Sequence, residues 1–295
     1  MADVSPLTIQ YLALLKQHLP ELTFHDARLL PASGQFNHVL SLDERWIFRF
    51  PKSVHVAADL AHELEILPRL RGRLPLPIPS PAFSATDDET GSTLFMGYAM
   101  LPGQPLLRER FAQLQANTDL VARIARDLAD FLLALHAIPA AEVGLADAAE
   151  DGRAVWTRFY HAFRQDLYPH MRPDARAAVS QDFEAALADA RLWQYDNCLI
   201  HGDVGAGNIL FQDGRVSGII DFSFCNIGDP AQDLGALLSS YGEDFLALLL
   251  AYYPALHDCL PRARFYCRQY ALEQAFFALR DNDQAEFEDG IANYR

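Results

Sequence analysis

Two short stretches hold the residues whose types and spacing suit chemistry: HGDVGAGNIL at 201–210 and GIIDFSFCNIGDPAQDLGALL at 218–238. Asp203 and Asn208 stand at the spacing DxxxxN, and Asp221 ends the next apolar run. NILFQDG and RVSGIIDF flank Asp213 and Gly214, a pair that closes tight hairpins because both residue types tolerate positive φ. Such a hairpin sets Asn208, at the head of one strand, beside Asp221, at the foot of the other. An amide oxygen and a carboxylate oxygen, completed by nucleotide phosphates, suffice for magnesium, which takes oxygen ligands in octahedral geometry and keeps several waters. Asp203, on the loop just ahead, faces the same spot. His201 forms an HxD pair with Asp203, but no second histidine cluster sits at ligand spacing. It reads as a support of the loop through hydrogen bonds rather than as a zinc ligand.

The elements that must position these groups follow from the periodicity. Ser5 with Pro6 caps an amphipathic helix that runs to about Leu19. FNHVLSLDERWIFRFP alternates as two strands joined by a turn at Asp43 and Glu44 and ended by Pro51. Leu60, Leu64 and Leu67 recur at helical spacing within 58–70, with Glu63 beside them and Pro68 as a stop or kink. A second hairpin, 83–87 with 93–101, turns at DDETGS, and LPGQPL at 101–106 then breaks the pattern as a lobe boundary. Helices dominate afterwards: one through Leu120, Ile124, Leu128 and Leu135 stopping near Pro139, then 153–168, 174–191, 231–253 and 261–280. The expectation is an α+β, bilobal chain, with a small β-rich lobe over 1–101 and a larger, mainly helical lobe over 102–295 carrying the hairpin.

Composition narrows the function classes. The 295 residues are 51% apolar, enough for a substantial core, and the formal charge of −15 argues against a nucleic-acid partner, whose phosphates demand a basic face. The N-terminus lacks the basic flank and apolar core of a signal peptide, and FLALLLAYYPAL is too short and proline-interrupted to span a bilayer. Four cysteines form no CxxC pair, which fits a reducing cytoplasm rather than a disulfide framework or zinc ribbon. Monomer and dimer both stay open.

With these residues in view, the sequence resembles the aminoglycoside phosphotransferase family, relatives of the protein kinases, whose catalytic loop reads HRDxxxxN and whose metal aspartate begins DFG. IFRFPK, HELEILPRL, LPLPIP and YAMLPGQPL match the family's N-lobe and hinge pattern in order. The resemblance implies a protein-kinase-like fold and magnesium-dependent transfer of the γ-phosphate of ATP or GTP to an alcohol. Asp203 would orient and deprotonate the acceptor hydroxyl, while Asn208 and Asp221 would hold the magnesium. Arg49 in WIFRF takes the strand position of the kinase lysine, with Glu63 as its helix acid and Lys52 as the alternative. PASGQFNHV is the phosphate-covering loop, with Ser33, Gly34 and Asn37 as contacts, and Ala99 and Met100 offer backbone groups to the purine. DFS in place of DFG, the absence of the HRD arginine and the lack of an APE segment exclude a phosphorylation-switched protein kinase.

Asp229 and Asp233, in GDPAQDL, are expected to cap the next helix and brace the catalytic loop. Glu243, in a YGE stretch like that of 2″-phosphotransferases, and Glu273 are the acids for an acceptor's ammonium groups; both also suit solvated helix faces. The leading acceptor is a small cationic molecule, an aminoglycoside modified at its 2″-hydroxyl. A macrolide, homoserine or a choline-like alcohol is the alternative, and Phe265, Tyr266, Phe276 and Phe277 would line an apolar macrolide groove if they do not form core. A non-catalytic nucleotide-binding module is the rival of another class, opposed by the presence of Asp203, Asn208 and Asp221 together.

Overall fold

A computed structural model describes residues 5–30, 36–145 and 150–295. The chain forms two compact units, Met1–Leu106 with Gly207–Cys225 and Leu107–Ala206 with Asn226–Arg295.

The first unit opens with α1 (Pro6–His18), capped as its sequence requires: the Thr8 N–H donates to Ser5 Oγ at 3.2 Å. β1 (Ala27–Leu29), β2 (Asn37–Leu42) and β3 (Trp46–Pro51) follow. The β2–β3 turn takes Asp43 and Glu44 through φ of 54° and 50°, and the Asp43 carboxylate steadies it by accepting the N–H groups of His25 and Asp26. α2 (Val54–Leu70) begins earlier than its leucine spacing indicates, because Ser53 caps it by accepting the Val56 N–H. Pro68 lies inside α2. It falls in the last turn, where a single backbone hydrogen bond is lost while Leu67 and Leu70 stay buried.

β4 (Pro81–Thr86) and β5 (Thr93–Ala99) complete an antiparallel sheet of order β1-β2-β3-β5-β4. Leu15, Leu40, Leu42, Phe48, Phe50 and Phe95 form its core, each side chain contributing roughly 1.5–3 kcal/mol by burial. β6 (Gln104–Pro105) ends this segment.

The chain then enters the second unit through α3 (Arg108–Leu114), α4 (Thr118–His136), α5 (Gly152–Asp166), α6 (Pro173–Ala188) and the short strand β7 (Cys198–Ile200). It returns to the first unit for the hairpin β8 (Ile209–Gln212) and β9 (Arg215–Ile219), whose turn residues Asp213 and Gly214 have φ of 50° and 77°. The hairpin groups with the first unit, whose bounds take in residues 102–106 as well. β6 pairs with β8, the Ile219 N–H donates to Pro77 O, and Ser217 Oγ donates to Pro102 O.

Back in the second unit, β10 (Asn226–Gly228) pairs antiparallel with β7, and α7 (Ala231–Tyr252), α8 (Leu260–Asp281) and α9 (Gln284–Ile291) close the chain. By length and composition α7 could cross a membrane, contrary to the expectation that no run suffices. It packs on α4 and α8, with Leu234, Leu237, Phe245 and Leu249 buried, and it bends at Gly242, whose φ of 84° only glycine adopts readily. Phe265, Tyr266 and Phe276 are core residues. Tyr266 stacks on Trp156 at 5.2 Å, and Phe265 and Phe276 join Phe163 and Phe183 in one aromatic cluster. Phe277 is partly exposed at the edge of that cluster.

Candidate active site

In the first unit a buried ionic network forms around Arg49. β3 carries the guanidinium inward; Nη1 donates to Glu63 Oε2 on α2 at 2.7 Å and Nη2 to Asp221 Oδ1, just past β9, at 2.8 Å. Arg49 is 4% exposed and Glu63 fully buried, so each needs the other: an unpaired charge at such depth costs several kcal/mol. Burial works against the Arg49 charge, yet Asp221 and Glu63 hold it protonated more firmly than an ordinary arginine. Burial lifts the Glu63 carboxyl above its usual range, against the pull of Arg49 and of the Phe222 N–H, which donates to Glu63 Oε1 at 3.0 Å. Lys52 lies beyond the end of β3 with an exposed side chain. The pairing with Glu63 thus belongs to Arg49.

The hairpin performs the juxtaposition that its sequence implied. Ile209 pairs with Ile219, and the Ile220 N–H donates to Asn208 O at 2.9 Å, so Asn208 stands across from the residue preceding Asp221. Asp221 adopts φ of 65°, a left-handed conformation that non-glycine residues hold only when the surroundings enforce it. Its carboxylate is held by Arg49 and Ser223. One amide and one carboxylate at neighbouring hairpin ends form an oxygen donor set that suits magnesium once phosphates supply further ligands. Among the described residues no group of three or more His, Cys, Asp or Glu side chains is arranged to hold a metal by itself.

The residues expected to meet the nucleotide divide. Ser33 and Gly34 lie outside the described residues. Asn37, at the start of β2 opposite Pro51, is buried, and among the described residues its Oδ1 meets no hydrogen-bond donor, an arrangement that costs about 1–3 kcal/mol unless another group supplies one. At the end of the β3–β5 ladder the register sets Trp46 opposite Ala99, and the Met100 N–H donates to Arg45 O at 2.8 Å. Antiparallel alternation therefore turns the N–H and C=O of Ala99 away from β3, past the start of β4 at Pro81. The Met100 N–H, expected to offer itself to the purine, is engaged with Arg45 O.

In the second unit the 201–206 loop hangs on Asp233 of α7. The Asp233 carboxylate accepts the His201 N–H at 3.1 Å and the Gly202 N–H at 2.9 Å, and His136 Nε2 meets it at 3.0 Å. Gly202 has φ of 81°, a left-handed conformation that glycine adopts readily, at the step from these amides to Asp203. The Asp203 N–H donates to His201 Nδ1 at 3.2 Å, and the Ala206 N–H donates to Ser240 Oγ at 2.9 Å. The histidine thus supports the loop from within. Asp229 does other work. It accepts the Ala231 N–H at the start of α7, Tyr266 Oη at 2.7 Å and both Nε and Nη2 of Arg262, at 2.6 and 3.1 Å. It anchors α7 to α8 rather than bracing the loop.

The two acids expected to meet the acceptor also separate. Glu243 is exposed and takes a bidentate pair from Arg264, at 2.7 and 2.9 Å, so its charge is already met. Glu273 is half-buried on α8, and burial pushes its carboxyl up to about 7. The folded state then holds more protons than the unfolded chain between the ordinary value of 4.5 and about 7, and stability falls as pH rises through that window. Glu273→Gln removes the penalty. It is expected to stabilise the protein at pH 8 by about 2 kcal/mol, or roughly 5 °C in Tm, with the difference shrinking as pH falls toward about 5. Thermal melts at both pH values check this; a lower Tm for the variant at pH 8 would mean that the native fold holds the carboxylate form.

Residue types alone left Ser223, His136 and Arg262 without a site role, and offered Tyr266 only as part of an apolar groove. Ser223 joins the Arg49 network, His136 steadies Asp233, and Arg262 with Tyr266 neutralises Asp229. The one signal was the serine of DFS standing in the glycine position.

The phosphotransferase enzyme family matches residues 29–266. Viomycin phosphotransferase of Streptomyces vinaceus is 31% identical over 288 residues, covering 91% of this chain and 96% of that protein. Among solved structures, the GDP and kanamycin complex of APH(2")-IIia aligns with a TM-score of 0.88 at 25% identity, covering 97% of each chain. The macrolide 2'-phosphotransferase type I aligns at 0.78 and 23% identity over 100% of this chain and 99% of that one, a likeness of fold alone. The strand-borne arginine paired with a helix glutamate, the hairpin and the aspartate-braced loop agree with these matches, and the chain belongs to the phosphotransferase enzyme family, with its protein-kinase-like fold.

Proposed function

We propose that this protein transfers the γ-phosphate of ATP or GTP to a hydroxyl of a small cationic molecule, an aminoglycoside at its 2″-hydroxyl being the first acceptor to test. The observation that carries the reading is the Arg49 guanidinium held between Glu63 and Asp221 at 2.7 and 2.8 Å, with Asn208 on the adjoining strand. Phosphoryl transfer passes through a loose transition state, so alignment and charge neutralisation supply most of the catalysis. Magnesium on Asn208 and Asp221 would supply the neutralisation of phosphate charge. Arg49 adds the α- and β-phosphate contact, Asn37 Oδ1 and the Ala99 backbone serve the nucleotide, and Asp203 orients the acceptor hydroxyl and takes its proton. With Glu243 engaged by Arg264, Glu273 is the acid proposed to meet an acceptor ammonium. A carboxylate about 4 Å from such a cation is worth roughly 1–4 kcal/mol, depending on the local dielectric. Four free thiols and a nucleotide donor suit a cytoplasmic setting.

Viomycin is the second acceptor, favoured by the 31% identity to viomycin phosphotransferase over 91% of this chain. The macrolide reading loses ground, since Phe265, Tyr266 and Phe276 are buried as core. The deciding assay measures ADP or GDP release with kanamycin, gentamicin, viomycin, a macrolide, homoserine and choline, with and without magnesium. A cationic antibiotic is expected to stimulate release, only with the metal present, and mass spectrometry to find the acceptor heavier by one phosphoryl group. Stimulation by none of the six, with no binding of Mg-nucleotide, ends the proposal.

A further inference from the structure

Ser223 occupies the position that protein kinases give to the glycine of DFG, and it brings a hydroxyl into the most charged part of the first unit. Its Oγ lies 2.8 Å from Asp221 Oδ1, 3.0 Å from Glu63 Oε2 and 3.2 Å from Arg49 Nη2. A serine hydroxyl has one proton to donate and lone pairs to receive others. Arg49 is a donor only, so it uses a lone pair of Oγ. Two carboxylate oxygens stand within reach of the single Oγ proton, and it serves one of them at a time.

We propose that Ser223 is a positioning residue for cation loading at Asp221, through a hydroxyl that passes between two carboxylates. The proton points to Asp221 while Arg49 Nη2 grips that carboxylate, and it turns to Glu63 when a cation takes the Asp221 oxygen. Rotation about one C–O bond accomplishes the exchange, with no change in the protonation of either acid. Glu63 gains from it because it is fully buried. Its other donors are Arg49 Nη1 at 2.7 Å and the Phe222 N–H at 3.0 Å, so the hydroxyl makes up for any turn of Arg49 toward phosphate. With alanine or glycine at 223 that shared hydroxyl is lost, and Glu63 is left with Arg49 Nη1 and the Phe222 N–H when Arg49 turns. The inference rests on the proposed magnesium role of Asp221.

The test compares wild type with Ser223→Ala, Ser223→Gly and Ser223→Thr. Calorimetry of ADP or GDP binding at several magnesium concentrations, without acceptor, gives the metal constant independently of turnover; manganese paramagnetic resonance gives it a second time. Loss of the hydroxyl is expected to weaken metal loading about tenfold, the size of one hydrogen bond to a charged group, while nucleotide binding in EDTA changes little. Threonine, which keeps the hydroxyl, is expected to stay within about threefold of wild type. If alanine and glycine destabilise the fold, Ser223→Cys, nearly isosteric and a weak donor, carries the same expectation. An unchanged metal constant in the hydroxyl-free variants overturns the proposal, as does a threonine variant as weak as alanine. Absence of Mg-nucleotide binding in wild type instead refutes the phosphotransferase reading, a separate outcome.

Discussion

Asp203→Asn is expected to lower turnover by about 10²- to 10⁴-fold while leaving the affinity for Mg-nucleotide within about twofold of wild type. Asparagine keeps the size and one oxygen, so it can still accept a hydrogen bond from the acceptor hydroxyl, but it cannot take the proton. The loop itself is held by other groups. His201 and Gly202 donate to Asp233, and the Asp203 contact to His201 uses its backbone N–H, which the substitution retains. The loss should therefore fall on kcat rather than on folding or donor binding. Steady-state kinetics with the acceptor found in the panel, beside calorimetry with the nucleotide alone, separates these quantities. Turnover equal to wild type would falsify the role assigned to Asp203; a parallel loss of nucleotide affinity would place the residue in donor binding instead.

Asp229→Ala is expected to have the largest effect on stability, about 3–5 kcal/mol, or roughly 10–15 °C in Tm. The carboxylate is 1% exposed and receives the Arg262 guanidinium through two nitrogens as well as the Tyr266 hydroxyl. Without it Arg262 keeps a long contact to Leu192 O at 3.4 Å, the Cys259 sulfur at 3.6 Å and the face of Tyr195 at 4.4 Å. None of these carries a negative charge, and the guanidinium is buried. Removing both partners together should recover much of the loss, because well-packed apolar groups replace a buried ion pair at little cost. Asp229→Leu with Arg262→Met is the variant for that comparison. Thermal or urea unfolding of the single and double variants measures the coupling, and a single substitution that lowers Tm by less than about 3 °C would show that the pair is not structurally important.

Much of the site was legible because its parts are local in sequence. Asp203 and Asn208 are separated by five positions, and the hairpin that carries Asn208 to the side of Asp221 needs only a two-residue turn between alternating strands. Leucine periodicity put Glu63 on the helix after β3, while Arg49 was singled out by the family resemblance and Lys52 ranked below it because it follows Pro51 at the end of the strand. The hairpin and helix inferences use periods of two and 3.6 residues, which short stretches express by themselves.

What distance along the chain conceals was decided by folding. Arg49 and Asp221 are 172 positions apart, Glu63 and Ser223 160, and the choice of Ser223 as a shared hydroxyl depends on how α2 and the β9 exit are brought together. Glu243 looked available to a cationic acceptor until the packing of α7 on α8 placed Arg264 against it, 21 residues on. Asp229 likewise turned away from the loop toward Arg262, and the hairpin joined the first unit because β8 found its neighbour in β6. Sequence determined which residue types stand ready and which local elements carry them, since propensity and periodicity act over a few residues. Tertiary structure determined which charges are already neutralised, because each buried ionic group must find its partner wherever in the chain the topology supplies one.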